Sequence, residues 1–199
     1  MIVKVCGMRE AENIRQVEAL RPDWMGFIFW PKSSRYVSVK PGYLPTRAKR
    51  VGVFVDQDIA EIKRVATDYA LDIIQLHGNE SPAFVSLLRD WHVVKAFSIA
   101  TEADLDATRD YDGLVDYFLF DTRTPLVGGS GQQFNWDVLD AYRGATHFLL
   151  SGGIGPDDAS RIRHFHHPRM AGIDLNSRFE LSPAVKDVNL LKRFLHEQD

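Results

Sequence analysis

Six side chains along the chain have types and spacings that suit chemistry on a small anionic substrate. Lys4 and Cys6 stand two apart in the apolar run Ile2 to Cys6, with Gly7 behind them. If that run is a strand, both side chains point to the same side. A thiol beside cationic groups is a candidate general base or nucleophile, while a cysteine on an apolar strand is also an ordinary packing residue. Asp121 closes the run Tyr117 to Phe120, and Asp174 falls in the run Met170 to Leu175. Asp121 suits acid-base work, but an aspartate there also caps a turn or pairs with Arg123. Asp174 suits a sugar hydroxyl. Arg35, after Ser33-Ser34, offers a fork of donors for a carboxylate or phosphate, unless it is an ordinary surface arginine. His77 before Gly78 is either a site residue or a turn former.

Glycine loops add a second kind of signal. Gly128-Gly129-Ser130-Gly131 and Ser151-Gly152-Gly153 each precede a helical stretch, near Asn135 and after Pro156, and Asn176-Ser177 follow the last apolar run. Such loops let backbone N–H groups approach a phosphate, and a helix N-terminus favours the anion further. Either loop alone is also a plain tight turn. A single cysteine excludes an intrachain disulfide and a multi-cysteine metal site. His164, His166 and His167 gather at a helix end with no carboxylate or cysteine to complete a ligand set, and read as a solvated terminus. The tryptophans read as packing residues, with Trp136 placed near the first glycine loop.

These residues need elements to hold them. Short Val-, Ile- and Phe-rich runs place strands at Ile2 to Cys6, Trp24 to Phe29, Val51 to Val55, Asp72 to Leu76, Val93 to Phe97, Tyr117 to Asp121, His147 to Ser151 and Met170 to Leu175. Their starts are about 20 to 30 residues apart, close to the shortest parallel crossover. Amphipathic stretches fill the gaps at Glu10 to Leu20 and Ile59 to Ala70. Ser81-Pro82, Gly155-Pro156 and Leu181-Ser182-Pro183 open helices over Ala83 to Arg89, Asp157 to Phe165 and Ala184 to Leu195, because proline is tolerated in a first helical turn. Pro31 to Ala48 carries little helical signal and predicts a short or irregular helix. Eight strand–helix units in 199 residues match an α/β fold, a single-domain (β/α)8 TIM barrel over residues 1–199 at the compact end of its range. An open doubly wound sheet is the runner-up, without a dinucleotide fingerprint after its first strand. In the barrel every candidate listed above, apart from the histidine cluster, falls at a strand's C-terminal end or in the loop that follows, where barrels carry their sites.

Composition closes off other classes. Hydrophobic residues at 45% and charged residues at 26% suit a globular core. Lys+Arg 24 against Asp+Glu 27 leaves a net charge of -3, so no basic excess favours nucleic acid or an anionic membrane surface. No apolar stretch is long enough for a membrane span, and the start lacks a signal peptide's pattern. The expected protein is cytoplasmic, a monomer or homodimer, with a small phosphosugar as its partner.

Taken together, Lys4-Val5-Cys6-Gly7, Gly26-Phe27-Ile28-Phe29 with Ser33-Ser34-Arg35-Tyr36-Val37, Gln75-Leu76-His77-Gly78-Asn79-Glu80, Asp121 with Gly128-Gly129-Ser130-Gly131 and Phe134-Asn135-Trp136, Ser151-Gly152-Gly153 and Gly172-Ile173-Asp174-Leu175-Asn176-Ser177 resemble the phosphoribosylanthranilate isomerase family of tryptophan biosynthesis. The resemblance implies an Amadori rearrangement of N-(5-phosphoribosyl)anthranilate without metal or organic cofactor. It implies Asp121 as general acid on the ring oxygen and Cys6 as general base at ribose C2, on strands taken to lie on opposite sides of the ring. It further implies Arg35 against the anthranilate carboxylate, Asp174 against a ribose hydroxyl, Lys4 and His77 in the substrate site, and Gly128, Gly129, Ser130, Gly131, Gly152, Gly153, Asn176 and Ser177 around the 5-phosphate. The chain departs from the family at Ser34, often proline, around Ser130 and Gln132, often threonine and lysine, and at Arg178, often glycine. Arg178 either restores the missing lysine's charge or pairs with Glu180 on the surface. Other phosphosugar barrels, an epimerase or a synthase, and a non-catalytic binding barrel are the competing readings.

Overall fold

The computed structural model describes residues 1–122 and 136–197. Eight strands pair in parallel, in chain order, and close into a barrel. They are β1 (Ile2–Val5), β2 (Trp24–Ile28), β3 (Lys49–Phe54), β4 (Ile73–Leu76), β5 (His92–Ile99), β6 (Tyr117–Thr122), β7 (His147–Ser151) and β8 (Met170–Leu175). The ring closes where Ile2, Val3, Lys4 and Val5 of β1 pair with Gly172, Ile173, Asp174 and Leu175 of β8. All eight expected strands are present. The largest differences are at β5, which extends to Ile99 by pairing Ser98 and Ile99 with Asp121 and Thr122 of β6, and at β3, which begins at Lys49 because charged Lys49 and Arg50 pair with Trp24 and Met25 of β2.

Strand alternation divides the core in two. Trp24, Val51, Ile73, Val94, Ala96, Leu119 and Leu149 form one buried cluster with partly buried Ile2 and Tyr117, the filling of the barrel. Trp24 and Tyr117 meet edge to face, 5.4 Å between ring centres. The residues between them, such as Phe27, Ile74, Phe118, Phe120, Phe148 and Ile173, pack outward against the helical layer. That layer holds α1 (Ala11–Glu18), α2 (Ile59–Tyr69), α3 (Pro82–Val85, continued by a 3-10 turn over Ser86–Leu88), α4 (Ala159–His164) and α5 (Val188–His196). Pro82 sits in the first turn of α3 as expected, with Ser81 Oγ accepting from Phe84 N. The short or irregular helix expected over Pro31 to Ala48 is absent: between β2 and β3 the chain runs through turns from residue 31 to 48, because the weak apolar periodicity there gives no face to pack as a helix. Glu102–Tyr111 forms a 3-10 helix, opened by Thr101 and Asp104 bonding reciprocally.

One expected helix start is wrong. Pro183 does not open the last helix: residues after β8 form a hairpin of β9 (Glu180–Ser182) and β10 (Val185–Lys186). Pro183 and Ala184 are its turn, with Ala184 at φ +70°, the arrangement in which proline takes the first central position and a left-handed residue the second. Helix α5 starts only at Val188, where Asp187 caps Leu190 N.

Candidate active site

The parity that sends Leu119 and Leu149 into the barrel also sends Asp121 and Ser151, two residues on, into its C-terminal mouth. The same count places Lys4 and Cys6 together from the end of β1, Gln75 and His77 from β4, and Asp174 from β8. Gly26 on β2 leaves the space that the Cys6 thiol fills, since a Cβ there would lie 2.6 Å from Sγ.

One buried group joins β1, β7 and β8. Lys4 Nζ donates to Asp174 Oδ1 at 2.8 Å, with 1% of Lys4 and 7% of Asp174 exposed. Ser151 Oγ donates to the other Asp174 oxygen at 3.2 Å, and the Lys4 ammonium couples electrostatically to the Cys6 thiol beside it. Burial works against the Lys4 charge, but Asp174 and Cys6 outweigh it and hold the ammonium's pKa above its usual value. Burial raises the Cys6 pKa, and Lys4 offsets only part of that, so Cys6 rests as a thiol at neutral pH with an acceptor-seeking cation beside it.

A second group belongs to β4 and β6. His77 Nε2 lies 3.5 Å from Asp121 Oδ2, both partly open to solvent. Gln75 Nε2, from a nearly buried side chain, lies 3.2 Å from His77 Nδ1. The loop carrying His77 is pinned from below. Glu80 accepts from Gly78 N at 3.0 Å and Asp56 N at 2.9 Å, and the buried Lys95 ammonium donates to Gly78 O at 2.7 Å with Glu80 at 3.3 Å. Burial lowers the Lys95 pKa, and Glu80 resists that shift.

A third group closes the β1–β2 side. Glu180 Oε1 and Oε2 accept from Arg35 Nε at 2.8 and 3.0 Å, and Oε2 accepts from Nη2 at 2.6 Å. Lys186 Nζ donates to Glu180 Oε1 at 2.6 Å and to Asn176 Oδ1 at 2.8 Å. Burial acts to raise the Glu180 pKa, but these two cations hold it below the usual glutamate value; burial lowers that of Lys186. The alternative in which Arg178 pairs with a surface Glu180 is therefore overturned. Glu180 is enclosed by Arg35 and Lys186, and the Arg178 side chain instead lies 3.4 Å from where a Gly155 Cβ would be.

The structure thus brings Lys4, Cys6, Arg35, His77, Asp121, Asp174 and Asn176 to one barrel mouth. Gly152 and Gly153, at φ +87° and +71°, follow β7 at the same end, and Ser177 follows Asn176 in an exposed turn. The helix after Gly155 is shorter than expected, and Asp158 Oδ2 accepts from Gly155 N at 2.8 Å. Gly128, Gly129, Ser130, Gly131 and Arg123 lie outside the described residues. Strands β1 and β6 are three places apart in the ring, one short of diametrically opposite. Among the described residues no cluster of His, Cys, Asp or Glu is arranged to hold a metal ion. His167 packs against Tyr142 and Phe148, and His164 Nδ1 meets Ser160 O. Trp136 is buried under the Arg161 guanidinium, 3.8 Å away. Gln75 carries no role in the sequence reading, although its two-residue spacing from His77 signals it, and Ser151 figures there only as part of a glycine loop, not as a partner of Asp174. Glu180 and Lys186 had no local signal.

The chain is a closed parallel (β/α)8 barrel whose mouth gathers a Lys–Cys–Asp group and a His–Asp pair, side chains of the types that suit proton transfer. Residues 3–197 match the family model described as N-(5'-phosphoribosyl)anthranilate (PRA) isomerase. The chain is 51% identical over 205 residues to an N-(5'-phosphoribosyl)anthranilate isomerase of Parabacteroides distasonis, covering 99% of this chain and 93% of that one. The crystal structure of phosphoribosyl anthranilate isomerase from Thermotoga maritima superposes with a TM-score of 0.83 at 32% identity, covering 100% of this chain and 98% of the other. A further isomerase structure, in complex with reduced 1-(o-carboxyphenylamino)-1-deoxyribulose 5-phosphate, gives a TM-score of 0.82 at 29% identity, covering 100% and 98%. The chain belongs to the N-(5'-phosphoribosyl)anthranilate isomerase family.

Proposed function

We propose that this protein converts N-(5-phosphoribosyl)anthranilate to 1-(2-carboxyphenylamino)-1-deoxyribulose 5-phosphate, an aldose-to-ketose rearrangement in tryptophan biosynthesis. The observation that carries the proposal is the placing of a buried thiol next to Lys4 and a carboxylate beside His77 at one mouth, in a chain of this family. Asp121 protonates the furanose ring oxygen. The C1–O bond breaks as the anthranilate nitrogen's lone pair forms the C=N bond of a Schiff base. Cys6, as thiolate, removes the proton from C2, and the C2–H electrons form the C1–C2 double bond while the C=N pair returns to nitrogen. The enol then loses its hydroxyl proton and gains one at C1, giving the ketone. C1 is reduced and C2 oxidised within one molecule, so the balance requires neither an external redox partner nor an organic cofactor. Only proton transfers are needed, which is acid-base work.

Lys4 stabilises the thiolate that this step needs, and Asp174, fixed by Lys4 and Ser151, accepts from a ribose hydroxyl. Arg35 faces the anthranilate carboxylate. The 5-phosphate lies against the backbone of Gly152 and Gly153 and the turn at Asn176-Ser177, with the Gly128 to Gly131 loop as the remaining contact. Arg178, over Gly155, supplies the cation that the loop's missing lysine would have given. Mixing the purified protein with freshly generated substrate in the presence of a chelator tests this reading. Anthranilate-type fluorescence is expected to fall faster than the spontaneous decay, with the deoxyribulose phosphate as product. A folded protein that produces no such turnover refutes it.

A further inference from the structure

The Arg35–Glu180 contact uses one of two faces that a guanidinium offers. Its planar fork has an Nε/Nη2 edge and an Nη1/Nη2 edge, and each matches a carboxylate. Glu180 takes the first edge, at 2.6 to 3.0 Å. Nη1 makes no hydrogen bond to any described residue. Glu180 itself is held rigidly. Its Oε1 also accepts from Lys186 Nζ and from Ala184 N at 3.2 Å, and its strand pairs with β10 at Lys186. Asn13 of α1 clamps Lys186 in turn, accepting from its N at 2.7 Å and donating to its O at 2.9 Å. The stem of Arg35 crosses the residue next to Cys6: a Cβ on Gly7 would lie 2.7 Å from Arg35 Cδ. Two cations surround one carboxylate, so the group keeps a net positive charge for a second anion.

We propose that Glu180 is a positioning residue that sets substrate specificity. By fixing the Nε/Nη2 edge of Arg35, it turns the Nη1/Nη2 edge to the carboxylate of the anthranilate ring, so that ortho-carboxylated substrates are selected over uncharged arylamines. The inference rests on the proposed isomerase reading and deepens it. A purely structural ion pair would have no such selectivity, because its loss would slow both kinds of substrate alike.

The test compares kcat/KM for phosphoribosylanthranilate with that for phosphoribosylaniline, which lacks the carboxylate, in the wild type, Glu180→Gln, Arg35→Ala and the double variant. Glu180→Gln is expected to raise KM for the carboxylated substrate about tenfold or more, with kcat changed little, and to shrink the preference by the same factor. Adding Glu180→Gln to Arg35→Ala is expected to cost nothing further, because both act through one fork. Equal losses on both substrates, or additive losses in the double variant, overturn the proposal. Arg35→Lys gives an independent check if Glu180→Gln does not fold: its point charge cannot serve two carboxylates in fork geometry, so the preference is expected to fall at least about tenfold. An undiminished preference in that variant overturns the proposal as well. A wild type that does not discriminate at all refutes the Arg35–carboxylate contact itself, and a wild type with no turnover refutes the isomerase reading.

Discussion

Replacing Lys4 with methionine removes the cation at the centre of the mouth while keeping most of its length. Lys4 and Asp174 are 1% and 7% exposed and 2.8 Å apart, so neither has water to fall back on. Breaking a buried pair from one side costs about 3–5 kcal/mol, because the surviving charge keeps its desolvation penalty. Asp174 would retain one hydrogen bond, from Ser151 at 3.2 Å, which places the expected loss toward the lower end. For a domain of this size about 3–4 kcal/mol corresponds to a Tm drop of roughly 6–16 °C. The assay is urea and thermal unfolding of Lys4→Met, Asp174→Asn and the double variant. The double variant, with no orphaned charge, is expected to be more stable than Lys4→Met alone. A Lys4→Met protein within 1 kcal/mol of wild type, on the order of a surface substitution, or a double variant less stable than the single one, would refute the argument that desolvation governs this group.

Three further outcomes follow from the same geometry. Burial raises the Cys6 pKa, so a mechanism that uses the thiolate should show kcat/KM rising about tenfold per pH unit from pH 7 to 9; a flat profile there would remove Cys6 as the base. Gly7 is at φ +77°, and a Cβ would come within 2.7 Å of both Arg35 Cδ and Asn176 Oδ1. Gly7→Ala is therefore expected to lose about 1–3 kcal/mol of stability and to raise KM by moving Arg35, measured by melting and steady-state kinetics; a neutral result would show the turn to be slack. Glu180 has a pKa held below the usual glutamate value of about 4.3. Its contribution is present above that pH and lost as pH falls through the lower, folded value. Glu180→Gln should therefore flatten the acid limb of the stability curve between about pH 5 and 2, and a curve parallel to wild type would contradict this.

What the chain makes legible is whatever short-range patterning controls. Runs such as Phe118-Leu119-Phe120 and Phe148-Leu149-Leu150 are apolar on both faces, as strands buried inside and outside a barrel must be, and they located β6 and β7 directly. Period-two parity then puts Lys4 beside Cys6 and Asp121 above Leu119 without any structure. Pro183 shows where local information ends. Proline suits a helix's first turn and the first central place of a β-turn equally well, and the choice is made by Lys186 pairing with Glu180 across the hairpin. The same hairpin hides the Arg35–Glu180–Lys186 group, whose members are 145 and 6 residues apart. Only a tertiary contact brings Arg35 to it.

The most direct test of the account is kcat for Cys6→Ser and Asp121→Asn beside wild type, on phosphoribosylanthranilate, with folding confirmed by melting curves. Loss of the base or the acid is expected to reduce kcat at least about 100-fold in each variant. A folded Cys6→Ser or Asp121→Asn protein that turns over within about threefold of wild type, a difference under 1 kcal/mol in barrier, would contradict the division of labour between β1 and β6.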